Sequence, residues 1–334
     1  MNYSIEKIAR EFGISKTTVS LIVNGKASEN RISEELEEKV KAFCEKVNYT
    51  PNIHALRMCS KVVGNIGLLI NGNMLVDSEN PFTDQIISEI TGGVVVEAAK
   101  RGFRVTIQLY NETDGEDKVF GWLRNREVDG LIYYGYAFDP KWLKSFAREK
   151  RCVVGIGVEP QENVSVVNID SRPVMREITK TVLKSGRRHI IYVDGVDSYV
   201  SRQRFSGVRD ALEECNAEFL EKSIVKADFS EKRAYEIFKT RIVDFDAVIC
   251  ANDDMAIGVL RALRERGFEI PEKISITGAD NNRSSGYTTP AITTFDNMNT
   301  ILGKTAVSEL KRLIDGSRPR ETTIKSKIIL RNSI

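Results

Sequence analysis

Between Ser15 and Leu21 the chain carries the hydroxyl side chains of Ser15, Thr17, Thr18 and Ser20, the cation Lys16 and the apolar Leu21. Hydroxyls donate to or accept from a base edge or a phosphate, and a lysine ammonium reaches a guanine edge or a phosphate oxygen. Such chemistry needs a rigid support that leaves these side chains exposed. Ile5, Ile8, Ala9 and Phe12 recur at i, i+3, i+4 and i+7, which predicts a first helix with one apolar face. Ser4 stands as its N-cap and Gly13 as its stop. Ser15 caps a second helix, whose Val19, Ile22 and Val23 face inward before Asn24 and Gly25 end it. Two short helices, a tight turn and a small residue at the crossing make a helix-turn-helix. In that arrangement the second helix lies in the DNA major groove. An ordinary helical hairpin would show the same periodicity.

The next segment favours the first reading. Ser33 caps a third helix with Leu36, Val40, Phe43 and Val47 as its buried stripe. Glu34, Glu35, Glu37 and Glu38 crowd its positive N-terminal end. Residues 1–50 then form a three-helix domain, and the polar Pro51 segment, residues 51–61, reads as a linker. Charge is sparse at this end: five basic residues against three acidic over 1–33 leave +2, and the whole chain carries the same +2. Phosphate neutralisation therefore supplies a weak nonspecific term, and specificity falls to base contacts and paired half-sites.

From residue 62 onward strands and helices alternate. Asn65–Ile70 is a continuous apolar run, as in a buried parallel strand. Further strands are predicted at 105–109, 130–134, 153–156, 164–169, 189–193, 223–226, 247–251 and 274–277, with helices between most of them. The helix 298–315 and a last strand near 324–330 complete the chain. The fold class is α/β: two lobes of doubly wound parallel sheets behind the helical domain. The strand at 164–169 reads as the start of the second lobe.

Ligands of doubly wound sheets bind beyond the carboxyl ends of the strands, which makes Asn252, Asp253 and Asp280 candidates by position. Asp253 reads as a cap of the following helix that does not reach the ligand, and Asn252 stays a candidate for ligand contact. Phe82, after Asn80 and Pro81, can line the first-lobe side. Tyr133, Tyr134 and Tyr136 cluster after a strand, where an aromatic floor is conceivable. Enzyme signatures are missing: there is no P-loop, HExxH or GxSxG, and Gly155-Ile156-Gly157 lacks a third glycine. Two histidines and five scattered cysteines suggest neither zinc nor a disulfide framework. No cofactor and no metal are expected. No stretch approaches the ~20 apolar residues of a membrane helix, and no export signal opens the chain, so a cytoplasmic location is expected.

The run Ser4–Lys26, with Ser-Ile-Glu-Lys-Ile-Ala, Gly-Ile-Ser, Thr-Val-Ser and Asn-Gly-Lys at their spacings, is followed by Asn48-Tyr49-Thr50-Pro51-Asn52 and Ala55. Together they resemble the LacI/GalR family of bacterial transcription regulators. Ile66–Leu69, Asn80–Phe82, Val128–Ile132, Arg204–Gly207, Ala251–Asp253 and Gly278–Asp280 continue the resemblance to the C-terminus. It implies a DNA-binding headpiece, a hinge at 51–61 that becomes helical on operator DNA, and a periplasmic-binding-protein-like core at 62–334 that binds an effector and forms a homodimer. Lobe one is expected at about 62–160 and 291–319, lobe two at about 161–290 and 320–334. The DNA-facing set is Ser4, Ser15, Lys16, Thr17, Thr18, Ser20, Leu21, Asn24, Tyr49, Asn52, Ala55, Leu56 and Met58, with Met58, or alternatively Leu56, as the minor-groove wedge. Leu21 stands where many members carry arginine or histidine. For the effector, the resemblance adds Arg204 and Phe229 and supports Asp280. A near-palindromic double-stranded operator and a small effector, a sugar or sugar derivative, are the implied partners. A nucleobase, a partner protein or an activating role are the alternatives. Gly157 and Val158 replace a frequent effector-binding aspartate, so that contact is lost or moves to Glu159.

Overall fold

Three serines set the helix starts at the N-terminus of the computed structural model, which describes residues 3–49, 62–72, 80–111, 114–115, 121–135 and 152–334. Ser4 accepts from the Lys7 amide at 3.4 Å ahead of α1 (Ile5–Glu11). Ser15 accepts from the Thr18 amide at 3.0 Å ahead of α2 (Lys16–Val23), and Ser33 from the Leu36 amide at 3.4 Å ahead of α3 (Glu34–Lys46). Each satisfies an amide that a helix start leaves unpaired. Gly13, at φ +65°, turns the chain between α1 and α2. Ile8, Ala9, Val19, Ile22, Ala27, Val40 and Cys44 form the small core. The Phe43 ring meets Tyr3 and Phe12 edge-on, with centroids 5.6 and 5.3 Å apart. Cys44, outside the expected stripe, is buried on α3 with Val40, while Leu36, Phe43 and the C-cap Val47 are half-buried. The hinge residues Asn52, Ala55, Leu56 and Met58 lie outside the described residues, as does Tyr136.

Gly64–Ile334 forms a second compact unit. Its first sheet is wholly parallel, in the order β11 (Glu321–Ile324), β5 (Ser165–Ile169), β4 (Val153–Ile156), β3 (Gly130–Tyr134), β1 (Asn65–Asn71), β2 (Arg104–Tyr110). The long apolar runs belong to its inner strands, as burial on both faces demands. Helix α4 (Gln85–Lys100) and the late helix α10 (Asn299–Ile314) pack on this sheet in one apolar cluster. They cross closely because Gly93 and Gly303 have no side chain; a Cβ at either would strike the facing helix backbone at Thr300 or Ile90.

The second sheet runs β7 (Ile224–Lys226), β6 (Ile190–Asp194), β8 (Ala247–Cys250), β9 (Ser275–Thr277), again parallel. Around it pack α5 (Ser171–Lys184), α6 (Tyr199–Glu214), α7 (Glu231–Thr240) and α8 (Asp253–Glu265). The short α9 (Arg283–Tyr287) follows β9. A two-stranded antiparallel ribbon pairs β10 (Thr294–Phe295) with β12 (Ile328–Ile329).

These pairings move the expected lobe boundaries. Strand 165–169 does not open the second lobe; it pairs parallel with β4 inside the first sheet. Parallel neighbours normally need a helical crossover, and the connection 157–164 is too short to hold one, so the strand read as a new beginning. The expected final strand near 324–330 is two strands: β11 closes the first sheet against β5, and β12 joins β10. The chain therefore passes between lobes after 169, before 299 and after 324, not near 161, 290 and 320.

Candidate functional site

The carboxyl ends of both sheets converge on one cavity open to solvent. From the first lobe come Asp84 and Ile86 around the start of α4, Tyr134 ending β3, Ile156 and Gly157 after β4, Asn168 and Ile169 ending β5, and Leu302 on α10. The second lobe adds Tyr199, Val200 and Arg204 of α6, Phe229 beyond β7, Asn252 and Asp254 beyond β8, and Asp280 beyond β9. Ser171 and Asn297 stand at two of the passages between lobes.

Arg204 is the electrostatic centre. It is 2% exposed, and Nη2 donates to Asp280 Oδ1 at 2.5 Å. Nη1 donates to the Ala251 carbonyl, Nη2 lies 3.4 Å from Asn297 Oδ1, and the guanidinium stands 5.3 Å from the Phe295 ring centroid. One side chain thus ties the end of β8, the loop after β9 and the passage before α10. The Ala251 carbonyl and Asn297 back the buried pair, while Arg204 Nε has no hydrogen-bond partner among the described residues.

Backbone strain gathers at the same place. Phe229 holds φ +63° and Asp280 φ +101°, left-handed values that cost a side-chain-bearing residue energy and recur at binding sites. The Phe229 ring lies against Gly195, where any Cβ would collide with it.

Asn252, not Asp253, is the N-cap of α8: its Oδ1 accepts from the Met255 amide at 2.9 Å, and its Nδ2 donates to the Phe229 carbonyl at 3.2 Å. Asp253 is fully buried behind the wall, accepting the Asn282 amide at 2.7 Å. Burial, reinforced by the charge of Asp280, pushes its carboxyl up to about 8. Asp254 accepts from Asn282 Nδ2 at 2.8 Å, and burial raises it to about 7. Across the cleft Asp84 caps α4 through the Ile87 amide at 3.0 Å, and burial lifts its carboxyl as well.

Arg204, Phe229, Asn252 and Asp280 therefore stand together on the cavity wall as expected. Phe82 does not: Asn80 caps the short turn Pro81–Thr83 through the Phe82 amide, and the Phe82 ring is left 48% exposed outside the cavity lining. Glu159 does not replace the missing aspartate either. It pairs with Arg202, which also holds Asp197 at 2.9 Å, and so links the loop after β4 to α6. Asp84, Asn168, Tyr199, Asp254 and Asn297 went unrecognised. Asp84, three residues before Ile87 in an N-cap position, carried the clearest signal.

On the N-terminal unit, Thr17 is fully exposed while Thr18, Ser20, Leu21 and Asn24 are half-buried along α2. The Ser15 and Thr18 hydroxyls bond each other at 2.8 Å, Lys16 pairs with Glu6, and Asn24 Nδ2 donates to Ser20 Oγ at 3.2 Å. Ser4 is exposed at the start of α1. Tyr49 packs on the headpiece core, and burial raises its phenol.

Residues 4–52 match the model of bacterial regulatory proteins of the lacI family, and 179–334 match a periplasmic binding protein-like domain. The HTH-type transcriptional regulator CelR of Thermobifida fusca is 27% identical over 98% of this chain and 95% of its own. A solved CelR–cellobiose complex, 24% identical, superposes with a TM-score of 0.74, covering all of both chains. The lac repressor dimer bound to operator and the anti-inducer ONPF, 22% identical, superposes with 0.84, covering all of this chain and 99% of that one. The chain belongs to the LacI/GalR family of transcriptional regulators.

Proposed function

We propose that this protein is a cytoplasmic repressor that binds a near-palindromic operator as a homodimer and releases or tightens on it when a sugar-like metabolite occupies the cleft between the core lobes. The observation that carries the reading is the cleft itself: charged and strained groups from the second lobe meet a largely apolar first-lobe wall that also carries Asp84 and Asn168, so a ligand touching both changes their closure. The printed description of the related CelR complex with cellobiose supports a carbohydrate there. On the DNA side, Thr17 and its neighbours on α2 read base edges, and the hinge around Met58 or Leu56 wedges into the minor groove. Effector and operator then bind with coupled affinities.

The test is a thermal-shift screen of the full chain against neutral sugars, sugar phosphates and nucleobases, combined with footprinting on candidate promoters. Stabilisation by a sugar and a protected, centrally distorted palindrome are expected. Stabilisation by none of these compounds contradicts effector control. A central distortion that survives Met58→Ala moves the wedge to Leu56.

A further inference from the structure

The charges lining the cleft are unbalanced. Among the described residues three carboxylates, Asp84, Asp254 and Asp280, face one cation, Arg204. Arg204 is already engaged by Asp280, the Ala251 carbonyl and Asn297. Among the described residues Asp84 and Asp254 make no ion pair; Asp84 accepts the Ile87 amide and Asp254 the Asn282 amide group. They belong to opposite lobes, Asp84 at the start of α4 and Asp254 in the first turn of α8. Capping explains a polar residue at 84. It does not explain why two half-buried acids share one cavity without a cation among the described residues, an arrangement that costs desolvation on both sides.

A separate observation points the same way. Asn168, 1% exposed at the end of β5, lines the cavity and donates through Nδ2 to the Val158 carbonyl at 3.0 Å. Its Oδ1 has no hydrogen-bond partner among the described residues. A buried acceptor without a donor asks for an N–H or O–H from the occupant. On the first-lobe wall the unfilled position, Asn168 Oδ1, is thus an acceptor. Among the described residues Arg204 Nε, on the second lobe, is a donor without a partner, but its guanidinium is already paired with Asp280, so no cation free of a carboxylate lines the cavity.

We infer that the cleft takes a ligand with a positively charged nitrogen on a hydroxyl-bearing scaffold, an amino sugar or amino polyol, with the nitrogen held between Asp84 and Asp254. This rests on the cleft being the effector site. The ammonium bridges carboxylates of the two lobes and so favours closure, while ring hydroxyls donate to Asn168 and Asp280 and the sugar face lies on Phe229. Burial raises both carboxyls, Asp254 also feeling Asp280, Asp84 and Glu231; a bound ammonium would lower them.

Isothermal titration of the full chain at about pH 7 tests this. The probes are glucosamine, galactosamine, mannosamine and the glucosamine disaccharide, each beside its neutral parent, its N-acetyl form and the parent 6-phosphate. At least one amine is expected to bind about 10- to 100-fold tighter than its neutral parent, the gain of a charge-assisted bond over a neutral one. Asp254→Asn should bring that amine down to the parent's level; Asp84→Asn, which keeps a good N-cap, should do the same and serves if the first variant fails to fold. A neutral or N-acetyl sugar that binds as tightly as its amine, or a phosphate that binds tighter, overturns the inference and leaves the cleft as effector site intact. Binding by no probe of any class overturns both.

Discussion

The N-terminal helices and the core cleft use polar residues in opposite ways. In the headpiece the core is apolar and the described candidate contacts to DNA are exposed or half-buried, held by caps such as Ser15 and by exposed pairs such as Lys16 with Glu6. In the cleft the candidate contacts are buried, charged and strained: Arg204 against Asp280, Phe229 in a left-handed backbone, Asp253 fully enclosed. The difference separates stability from recognition in one region and fuses them in the other. Headpiece side chains can change with little structural cost, whereas a cleft side chain that changes disturbs the fold that holds it.

Removing the Arg204 guanidinium should have the largest effect. Arg204→Met leaves Asp280 buried without a partner, and the core should lose about 3–5 kcal/mol in urea unfolding. A loss under about 1 kcal/mol would place the pair in a wetter setting and weaken the contrast between the two regions.

Acidity gives the next test. The Asp253 carboxyl sits near 8 in the fold against 3.8 when unperturbed, so between those values the native state holds a proton that the unfolded chain has released. Its contribution is complete below about pH 4 and lost as pH rises through about 8, at no more than about 1.4 kcal/mol per pH unit. Asp254 acts in the same direction up to about 7. Urea midpoints of the core should fall from pH 5 to pH 8 by an amount that Asp253→Asn reduces; an unchanged slope in the variant assigns the titration elsewhere.

Headpiece substitutions should be milder. Ser15→Ala removes the α2 cap and should cost about 1 kcal/mol of headpiece stability. Thr17→Ala, at an exposed position, should change stability by less than about 0.5 kcal/mol yet weaken operator binding measurably in fluorescence anisotropy. If Thr17→Ala instead destabilises as much as Ser15→Ala, recognition and stability are not separate there.

The same contrast explains what was legible. Ser4, Ser15 and Ser33 announce helix starts because capping is local, and an i, i+3, i+4 stripe reports one buried face. The strands of the two sheets could be placed to within a residue or two at most ends for the same reason. Which sheet a strand joins is a nonlocal matter. Nothing in Ser165–Ile169 distinguishes a sixth strand of the first sheet from the first of the second, and β11 and β12 share a short polar stretch. Arg204 and Phe229 are legible through motif positions, and Asp280 through its place after a strand. Asp84, Asn168 and Asp254 become site residues only when two lobes meet, and the turn at Pro81–Thr83 leaves the Phe82 ring outside the cavity.

The central claim is that occupancy of the cleft controls DNA binding. The direct measurement is operator affinity of the full chain with and without a saturating amount of whichever screened compound stabilises it, together with that compound's affinity with and without operator. The account predicts a change of about 5- to 150-fold in operator affinity and the same factor in the reciprocal titration. A compound that binds the cleft, loses its grip in Asp280→Asn and leaves operator affinity unchanged would contradict it.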